Sequence, residues 1–319
     1  MTGSSPTPPD DPIGERALHQ RFSEAGQDLP SRVILPPGDD LGMLEHDGPI
    51  LIGTDQVVLG RHVRVDEVPY AIGRKAVLRN LSDVAAMAAH PVAIVAAATL
   101  GPDCHQEWAT ELHRGLHETA LAWNAPLVGG DLATHSINDG PTVITVSILA
   151  RPVPASGRVI TRDGGRPGHL LAVTGTLGGS LDADGGGRHL DFTPRLREAT
   201  ALAETLGDQL VAMMDLSDGV AQDAGRLAAA GNAIARVDIA SLPSSPGCDW
   251  RAAVSDGEDY ELLFACSSAP PTEILGTPIS VIGRLDTPSV AFPAGSVVVG
   301  EGDQAQRIDH LGWEHRSQG

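Results

Sequence analysis

Five short acidic motifs stand beside glycine or serine along this chain. Magnesium prefers oxygen ligands and usually binds through one or two carboxylates together with substrate phosphates. Neighbouring glycines let backbone N–H groups approach phosphate oxygens closely. Taken singly, each motif is also typical of a turn or a helix cap, but their joint occurrence predicts shared cations and phosphoryl-transfer chemistry. The motifs are Gly38-Asp39-Asp40, Gly53-Thr54-Asp55, Ser82-Asp83, Gly129-Gly130-Asp131 and Asp215-Leu216-Ser217-Asp218-Gly219.

The common nucleotide-binding signatures are absent from the sequence. A Walker loop requires glycine before its lysine, whereas the only lysine, Lys75, follows Arg74. No GxGxxG motif opens a βαβ unit, which argues against a dinucleotide site of the common kind. Residues 182–185, DADG, start like a calcium loop but lack its later ligands and closing glutamate. We interpret that stretch as a loop.

A helix is predicted over residues 73–90, GRKAVLRNLSDVAAMAAH, and it carries Asp83. Alanine, leucine and arginine favour helix, and the apolar residues recur at helical spacing. Lys75, Arg79 and Asp83 follow one another at i, i+4 steps on a second face. Pro91 is expected to end the helix. The alternative role for Asp83 is a weak exposed pair with Arg79.

Short apolar runs precede the other acidic motifs and are predicted to be strands. The runs at 33–35, 49–52, 126–128 and 210–214 each lead into a glycine- or aspartate-containing motif. Longer patterns predict helices over 106–124, 194–206 and 219–230. Because strands and helices alternate in both halves, we expect the α/β (α+β) class, with mixed sheets packed against helices in two domains.

Composition excludes several classes of function. The chain has 319 residues with 41 acidic against 22 basic, a net charge of −19, which argues against a nucleic-acid or anionic-membrane partner. The most apolar run, 92–100, is far shorter than a membrane span of about 20 residues. Three distant cysteines without CxxC spacing indicate neither a disulfide framework nor a zinc site, so a cytoplasmic location is expected.

The order of the motifs resembles one known family. Between about Gly38 and Phe264, the chain reads GDD, TDQVVLGRH, GRKAVLRNLSDVAAM, GGD, VTGTLG, MMDLSDG and GEDYELLF. This series is similar to the thiamine-monophosphate kinase family of the aminoimidazole-ribonucleotide-synthetase-like superfamily. The resemblance implies a two-domain fold of that superfamily, ATP-dependent phosphorylation of thiamine monophosphate to the diphosphate, several Mg²⁺ ions and a homodimer.

The resemblance also implies roles for individual positions. The magnesium positions are Asp40, Thr54, Asp55, Asp83, Asp131, Asp215 and Asp218. The ATP contacts are Gly130, Arg162 and Ser217. The positions around thiamine monophosphate are His62, Glu258 and Trp313, of which Trp313 lies outside the matched motifs. No covalent enzyme nucleophile is expected, because the acceptor is itself a phosphate oxygen.

The expected organisation follows from the resemblance and from a composition shift at 151–157, RPVPASG. Residues 1–27 are predicted to form a disordered leader and a first helix. Residues 28–150 are predicted to form an N-terminal domain that binds metal and ATP and forms the dimer, and 158–319 a C-terminal domain.

Several residues depart from the family pattern. Gly53 stands where serine is frequent, Leu59 where glutamate is usual, and Asp256 where the family has glycine; Gly178-Gly179-Ser180 lacks the usual aspartate. These departures leave two alternatives open. One is a paralogue that binds Mg-ATP or a thiamine phosphate without turnover. The other is a different ATP-using enzyme of the superfamily, although the hydrogenase-maturation and selenophosphate-synthesis types typically need a terminal cysteine that is missing here.

Overall fold

The structure, a computed structural model, describes residues 29–35, 43–138, 140–153 and 158–313. Asp40, the predicted leader and the predicted first helix lie outside these ranges. The chain divides into two compact units. The first contains residues 52–77 and 92–149 with the described part of 1–48, and the second contains 49–51, 78–91 and the described residues from 150 onward. The predicted single boundary at 151–157 stays a prediction.

Five α-helices and fourteen strands are assigned within the described ranges. The helices are α1 (Pro69–Ala86), α2 (Gln106–Ala122), α3 (Leu196–Leu206), α4 (Val220–Ala230) and α5 (Trp250–Ser255). The strands are β1 (Val33–Leu35), β2 (Met43–Leu44), β3 (Leu51–Val58), β4 (Ala89–Leu100), β5 (Leu127–Thr134), β6 (Val143–Pro152), β7 (Leu170–Thr174), β8 (Leu210–Asp215), β9 (Ile234–Val237), β10 (Leu262–Cys266), β11 (Glu273–Ile274), β12 (Thr277–Asp286), β13 (Val297–Val299) and β14 (Gln306–Arg307).

The first unit is built on a four-stranded sheet in the order β3-β6-β4-β5, in which β4 and β5 run parallel. Two glycines let α1 and α2 pack closely. A Cβ added at Gly73 would lie 2.3 Å from the Leu112 carbonyl oxygen, and one at Gly115 would lie 2.1 Å from the Tyr70 carbonyl oxygen. Larger residues at either position would force the helices apart.

The second unit is built on a mixed sheet in the order β14-β13-β9-β12-β7-β10-β8, with β11 paired to β12. Its antiparallel core strands are β7, β10 and β12, while β13 and β9 are parallel. Apolar residues of α4, among them Val220, Ala224 and Leu227, are fully buried in one cluster with residues of these strands. The sheet ends at β8, so the acidic motif that follows β8 lies at the edge of the sheet.

The helix predicted over 73–90 differs from α1 at both ends. It begins at Pro69, which is favourable in a first helical turn because proline has no N–H to satisfy. It ends at Ala86, and Ala88 has φ 47°, the left-handed conformation that commonly closes a helix. The prediction that Pro91 ends the helix was wrong, since β4 has already begun at Ala89. Lys75, expected on a polar face, is fully buried.

Two glycine motifs lie inside strands and not after them. β3 continues through Thr54 and Asp55, and β5 continues through Gly130 and Asp131. The sequence pattern predicts that each strand ends at its glycine, since clusters of Gly and Asp commonly bound strands. At Gly130 the glycine instead permits a close approach, since an added Cβ would lie 2.1 Å from the Ala96 carbonyl oxygen.

None of the helices within the described ranges combines the length and apolar character needed to span a membrane.

Candidate functional site

Asp215 ends β8 and is buried, with 4% of its surface exposed. Its Oδ2 accepts a hydrogen bond from Ser82 Oγ at 2.7 Å. Ser82 belongs to the second half of α1 and is also buried, and its neighbour Asp83 is half-buried. The NLSD motif and the DLSDG motif, 133 positions apart in sequence, are therefore joined in the second unit.

Asp223, in the first turn of α4, organises the backbone that follows Asp215. Its Oδ2 accepts from the backbone N–H groups of Ser217, at 3.1 Å, and Asp218, at 2.9 Å. Its Oδ1 accepts from Arg226 Nη1 at 2.7 Å, and the same Nη1 lies 2.5 Å from Asp218 Oδ2. The buried Asp223 carboxylate thus fixes the loop that joins Asp215 to Asp218, the two predicted Mg²⁺ positions.

Negative charge accumulates at this loop. Burial, together with the nearby carboxylates of Asp215 and Asp218, raises the pKa of Asp223 from 3.8 to about 7, although the hydrogen bond from Asp218 N–H and the charge of Arg226 act to lower it. Like charges held close together in a buried site disfavour ionisation of one of them. A cation at the loop would relieve that repulsion.

The GEDYE segment lies against the same loop. Glu258 N–H donates to the Ser217 carbonyl at 2.8 Å, and Tyr260 N–H donates to the Leu216 carbonyl at 2.8 Å. Glu258 and Tyr260 both have φ 51°, which is uncommon for residues other than glycine. An added Cβ at Gly257 would lie 2.9 Å from the Ser217 carbonyl oxygen, so the glycine allows this approach.

Trp313, the predicted position furthest from the matched motifs, is brought to the same place. Its N–H donates to the Asp218 carbonyl at 3.0 Å. Gln222, on α4, holds the preceding residues by donating from Nε2 to the carbonyls of Asp309 and Leu311, both at 2.9 Å. The indole of Trp313 is half-buried. The second unit therefore gathers Ser217, Asp218, Glu258 and Trp313 around one loop.

Arg162 is exposed on the segment beside β8. The carbonyl of its neighbour Thr161 accepts from Met213 N–H at 3.2 Å, two positions before Asp215. Gly164 makes the segment lie close to the strand, since an added Cβ would meet the Val211 carbonyl oxygen. The backbone segment that carries Arg162 therefore runs beside β8.

Two aspartates fix the glycine turn after β7. Asp259, almost fully buried, accepts from Gly178 N–H at 2.9 Å and from Arg188 Nη2 at 2.6 Å. Asp256, one of the departures from the family pattern, accepts from Gly179 N–H at 2.9 Å. In this structure the added carboxylate binds the backbone of the turn.

In the first unit, Thr54 and Asp55 are adjacent on β3. Thr54 Oγ1 donates to the Val146 carbonyl at 3.2 Å and accepts from Ser147 Oγ at 3.0 Å. Asp55 Oδ1 accepts from Gln56 N–H at 2.8 Å. A Cβ at Gly53 would meet only Ile148 Cγ2, at 3.5 Å, so the space there admits serine.

Gly130 and Asp131 lie on β5, where they pair with β4 opposite Ala96 and Ala97. Asp131 is exposed. In the strand order β3-β6-β4-β5, Asp55 and Asp131 are on the two edge strands. Three strand spacings, about 14 Å, separate such strands, so one ion cannot be ligated by both carboxylates of this sheet.

His62 is held in the turn after β3 by two contacts within the first unit. Its Nδ1 accepts from Val58 N–H at 3.0 Å, and its carbonyl accepts from Lys75 Nζ at 2.7 Å. The first contact fixes the tautomer of the neutral ring, with the proton on Nε2. Nε2 is therefore a hydrogen-bond donor.

Within the described residues, no group of three or more His, Cys, Asp or Glu side chains forms a ready-made metal centre. Magnesium is commonly held by one or two carboxylates, with phosphates and water completing its shell. The oxygen-only, negatively charged set of Asp215 and Asp218 fits that mode of binding, whereas it does not fit a closed protein cage.

Comparisons with known proteins agree with these motifs. A family model described as AIR synthase related protein, N-terminal domain, matches residues 38–151. The thiamine-monophosphate kinase of Escherichia coli K12 is 31% identical over 335 aligned positions, covering 95% of this chain and 98% of that protein. The chain belongs to the thiamine-monophosphate kinase family. The predicted resemblance is confirmed.

Solved structures of the thiamine-monophosphate kinase family confirm the predicted fold class. A crystal structure from Stenotrophomonas maltophilia K279a is 28% identical with a TM-score of 0.73, covering 89% of this chain and 95% of that one. AaThiL complexed with AMPPCP and TMP is 25% identical with a TM-score of 0.69, covering 95% of this chain and 97% of that one.

The roles of individual residues stay predictions, and sequence reasoning also overlooked several groups. Ser82, Asp223 and the pair of Arg188 and Asp259 received no role, although all contact predicted site segments. Asp223 had a detectable signal, because an acidic residue in the first turn of a predicted helix can accept from N-terminal backbone groups. The contact of Ser82 with Asp215 has no local signal.

Proposed function

We propose that this chain is an enzyme that transfers the terminal phosphoryl group of ATP to the phosphate of thiamine monophosphate, giving thiamine diphosphate and ADP. One observation carries the proposal beyond family membership. The end of β8 and the loop after it carry Asp215, Ser217 and Asp218, which are predicted metal and ATP residues. Segments with predicted metal and substrate residues contact them through Ser82, Glu258 and Trp313.

In the reaction, the bond between the γ-phosphorus and the β,γ-bridging oxygen of ATP breaks. A phosphate oxygen of thiamine monophosphate forms the new bond to that phosphorus. Phosphoryl transfer depends mainly on in-line positioning and on stabilisation of charge. The loop fixed by Asp223 supplies positioned carboxylates and backbone groups, and the Arg162 guanidinium is suited to bidentate phosphate binding.

The thiamine moiety is assigned to His62, Glu258 and Trp313. The Trp313 indole offers a face for the cationic thiazolium ring, and the Glu258 carboxylate offers an acceptor. His62 presents Nε2–H as a donor, because Nδ1 is already occupied by Val58 N–H.

Mg²⁺ is assigned to Asp55, Asp83, Asp131, Asp215 and Asp218, with Thr54 and Asp40 as further positions implied by the family. When bound, Mg²⁺ neutralises charge on the ATP phosphates. The carboxylates position the ion, and Ser82 Oγ–H holds one oxygen of Asp215 so that the other oxygen keeps its direction.

The deciding experiment measures ADP release by the purified full chain with ATP and Mg²⁺, with and without thiamine monophosphate. We expect release to require thiamine monophosphate, and unphosphorylated thiamine to serve as the negative acceptor control. Asp215→Asn is expected to reduce turnover strongly, whereas the exposed Asp238→Asn keeps it as the matched control. ATP binding without ADP release on any phosphorylated acceptor would instead favour a sensor.

We also propose a cytoplasmic homodimer. The family resemblance supports the dimer, and the spacing of the three cysteines supports a reducing compartment. Sedimentation equilibrium at micromolar concentration tests the dimer, and a monomer mass would contradict it.

A further inference from the structure

His189 is a buried histidine, and each of its two ring nitrogens contacts an oxygen of another residue. Only 1% of its surface is exposed. Nδ1 lies 2.8 Å from Glu258 Oε2, and Nε2 lies 3.2 Å from the Gly185 carbonyl oxygen. Its backbone N–H donates to the Ser180 carbonyl at 3.1 Å. The ring is thus fixed on the loop after β7 while it contacts the GEDYE segment.

The two ring contacts determine where the proton lies. A carbonyl oxygen accepts only, so the Gly185 contact is a hydrogen bond only when Nε2 carries a proton. A neutral ring with its proton on Nε2 would direct the Nδ1 lone pair at a carboxylate oxygen, which is repulsive. A proton therefore lies between Nδ1 and Glu258 Oε2, where the contact is the shorter of the two, and it joins the two side chains in one charge-assisted hydrogen bond.

Glu258 needs such a restraint because of its position. Its backbone has φ 51° and its N–H is bound to the Ser217 carbonyl, so the segment is set by the loop after β8. The side chain is 14% exposed. A contact from a second, independently anchored segment restricts its rotamers and leaves less entropy to lose when a ligand binds.

The neighbouring residues repeat the arrangement. Arg188 Nη2 donates to Asp259 Oδ1 at 2.6 Å, next to the contact of His189 with Glu258. Arg188 Nη2 also donates to the Gly178 carbonyl at 3.1 Å. Two consecutive side-chain donors therefore bind two consecutive carboxylates, which fixes the register of the two segments.

We propose that His189 is a positioning residue for the substrate, acting through Glu258, and that it sets the affinity for the thiamine moiety but not for ATP. The inference rests on the proposed function, which assigns Glu258 to that moiety. It assigns to His189 a role that the family motifs did not supply.

Two conservative variants separate the contacts of the ring. Asparagine places its amide N–H near the position of Nδ1, so His189→Asn keeps a donor for Glu258 and loses the Gly185 contact. Glutamine places its amide near Nε2, so His189→Gln keeps Gly185 and loses Glu258. We expect His189→Gln to raise KM for thiamine monophosphate about tenfold, with kcat and KM for ATP within about twofold. His189→Asn is expected to stay within about threefold of wild type in all three constants.

A double-mutant cycle tests whether His189 acts through Glu258. In a Glu258→Gln background, His189→Gln is expected to change KM for thiamine monophosphate by less than about twofold. Equal rises in KM for thiamine monophosphate in His189→Asn and His189→Gln, in parallel with a lower folded fraction, would overturn the proposal and reduce His189 to a packing residue. Independent, multiplicative effects of His189→Gln and Glu258→Gln would also overturn it.

A spectroscopic measurement separates this inference from the kinase proposal. A wild-type chain that shows no turnover of thiamine monophosphate overturns the proposed function. The bridging proton is then tested by nitrogen–proton correlation of the His189 ring. We expect a downfield Nδ1–H resonance that is lost in Glu258→Gln, and its persistence in that variant would overturn the inference.

Discussion

Removal of the Asp223 carboxylate tests whether this residue holds the loop after β8. In Asp223→Ala, the N–H groups of Ser217 and Asp218 lose the Oδ2 that accepts both of them. An unsatisfied donor costs about 1–3 kcal/mol when buried. Because both residues are half-buried, we expect the lower part of that range for each, about 2–4 kcal/mol in total. The Arg226 pair adds little, since its side chain is 43% exposed.

Asp223→Asn separates the two roles of the carboxylate. Both backbone N–H groups bind the same oxygen, so an amide carbonyl in that place keeps them and loses only the Arg226 pair. We therefore expect Asp223→Asn to lose less than about half the stability that Asp223→Ala loses. Urea unfolding measures the free energy of unfolding of both variants. ADP release, measured at increasing Mg²⁺ concentration, gives the concentration for the half-maximal rate.

Asp249→Ala is the matched control for Asp223→Ala. Asp249 is exposed and accepts from Ala252 N–H at 2.9 Å as the N-cap of α5. Its loss is expected to cost about 1 kcal/mol without changing the Mg²⁺ dependence. The reasoning fails if Asp223→Ala is as stable as Asp249→Ala. It also fails if Asp223→Ala has the same Mg²⁺ concentration for half-maximal ADP release as the wild type.

Two further variants test other contacts. Ser82→Ala removes the 2.7 Å donor to the buried Asp215 carboxylate, so we expect the Mg²⁺ concentration for half-maximal ADP release to rise about tenfold; an unchanged Mg²⁺ titration would contradict this. Burial on α2 lowers the pKa of His113 from 6.5 to about 4, so the folded chain binds this proton less tightly than the unfolded chain. Stability is then lost as pH falls from 6.5 towards 4, by up to about 3 kcal/mol. Urea unfolding of His113→Phe is expected to show a flatter pH dependence, and equal slopes would refute this cause.

The second unit could be predicted closely because its signals are local. The run from Leu210 to Met214 is uniformly apolar and ends at the first acidic residue, so the position of Asp215 at the end of β8 follows from the sequence. The run that forms β10 is equally clear. Such runs indicate buried strands whatever surrounds them.

The first unit was predicted less well because non-local contacts decide its strand ends. Local rules treat Gly53 and Gly130 as strand ends. The pairing of Gly130 opposite Ala96 depends on β4, a strand more than thirty positions earlier. The burial of Lys75 depends in the same way on the His62 carbonyl, which provides the polar partner that a local pattern cannot indicate.

Contacts between distant segments also change the interpretation of the departures from the family pattern. The missing aspartate at Gly178-Gly179-Ser180 and the added Asp256 lie far apart in the chain, and in sequence they are two independent departures, one a loss and one a gain. In the structure, Asp256 Oδ2 accepts from Gly179 N–H at 2.9 Å, so the added carboxylate binds the very turn that lacks one. Asp259 holds the adjacent Gly178 N–H in the same manner. We therefore interpret the two departures as one compensated change that keeps the glycine turn fixed, which favours retained catalysis over loss of turnover.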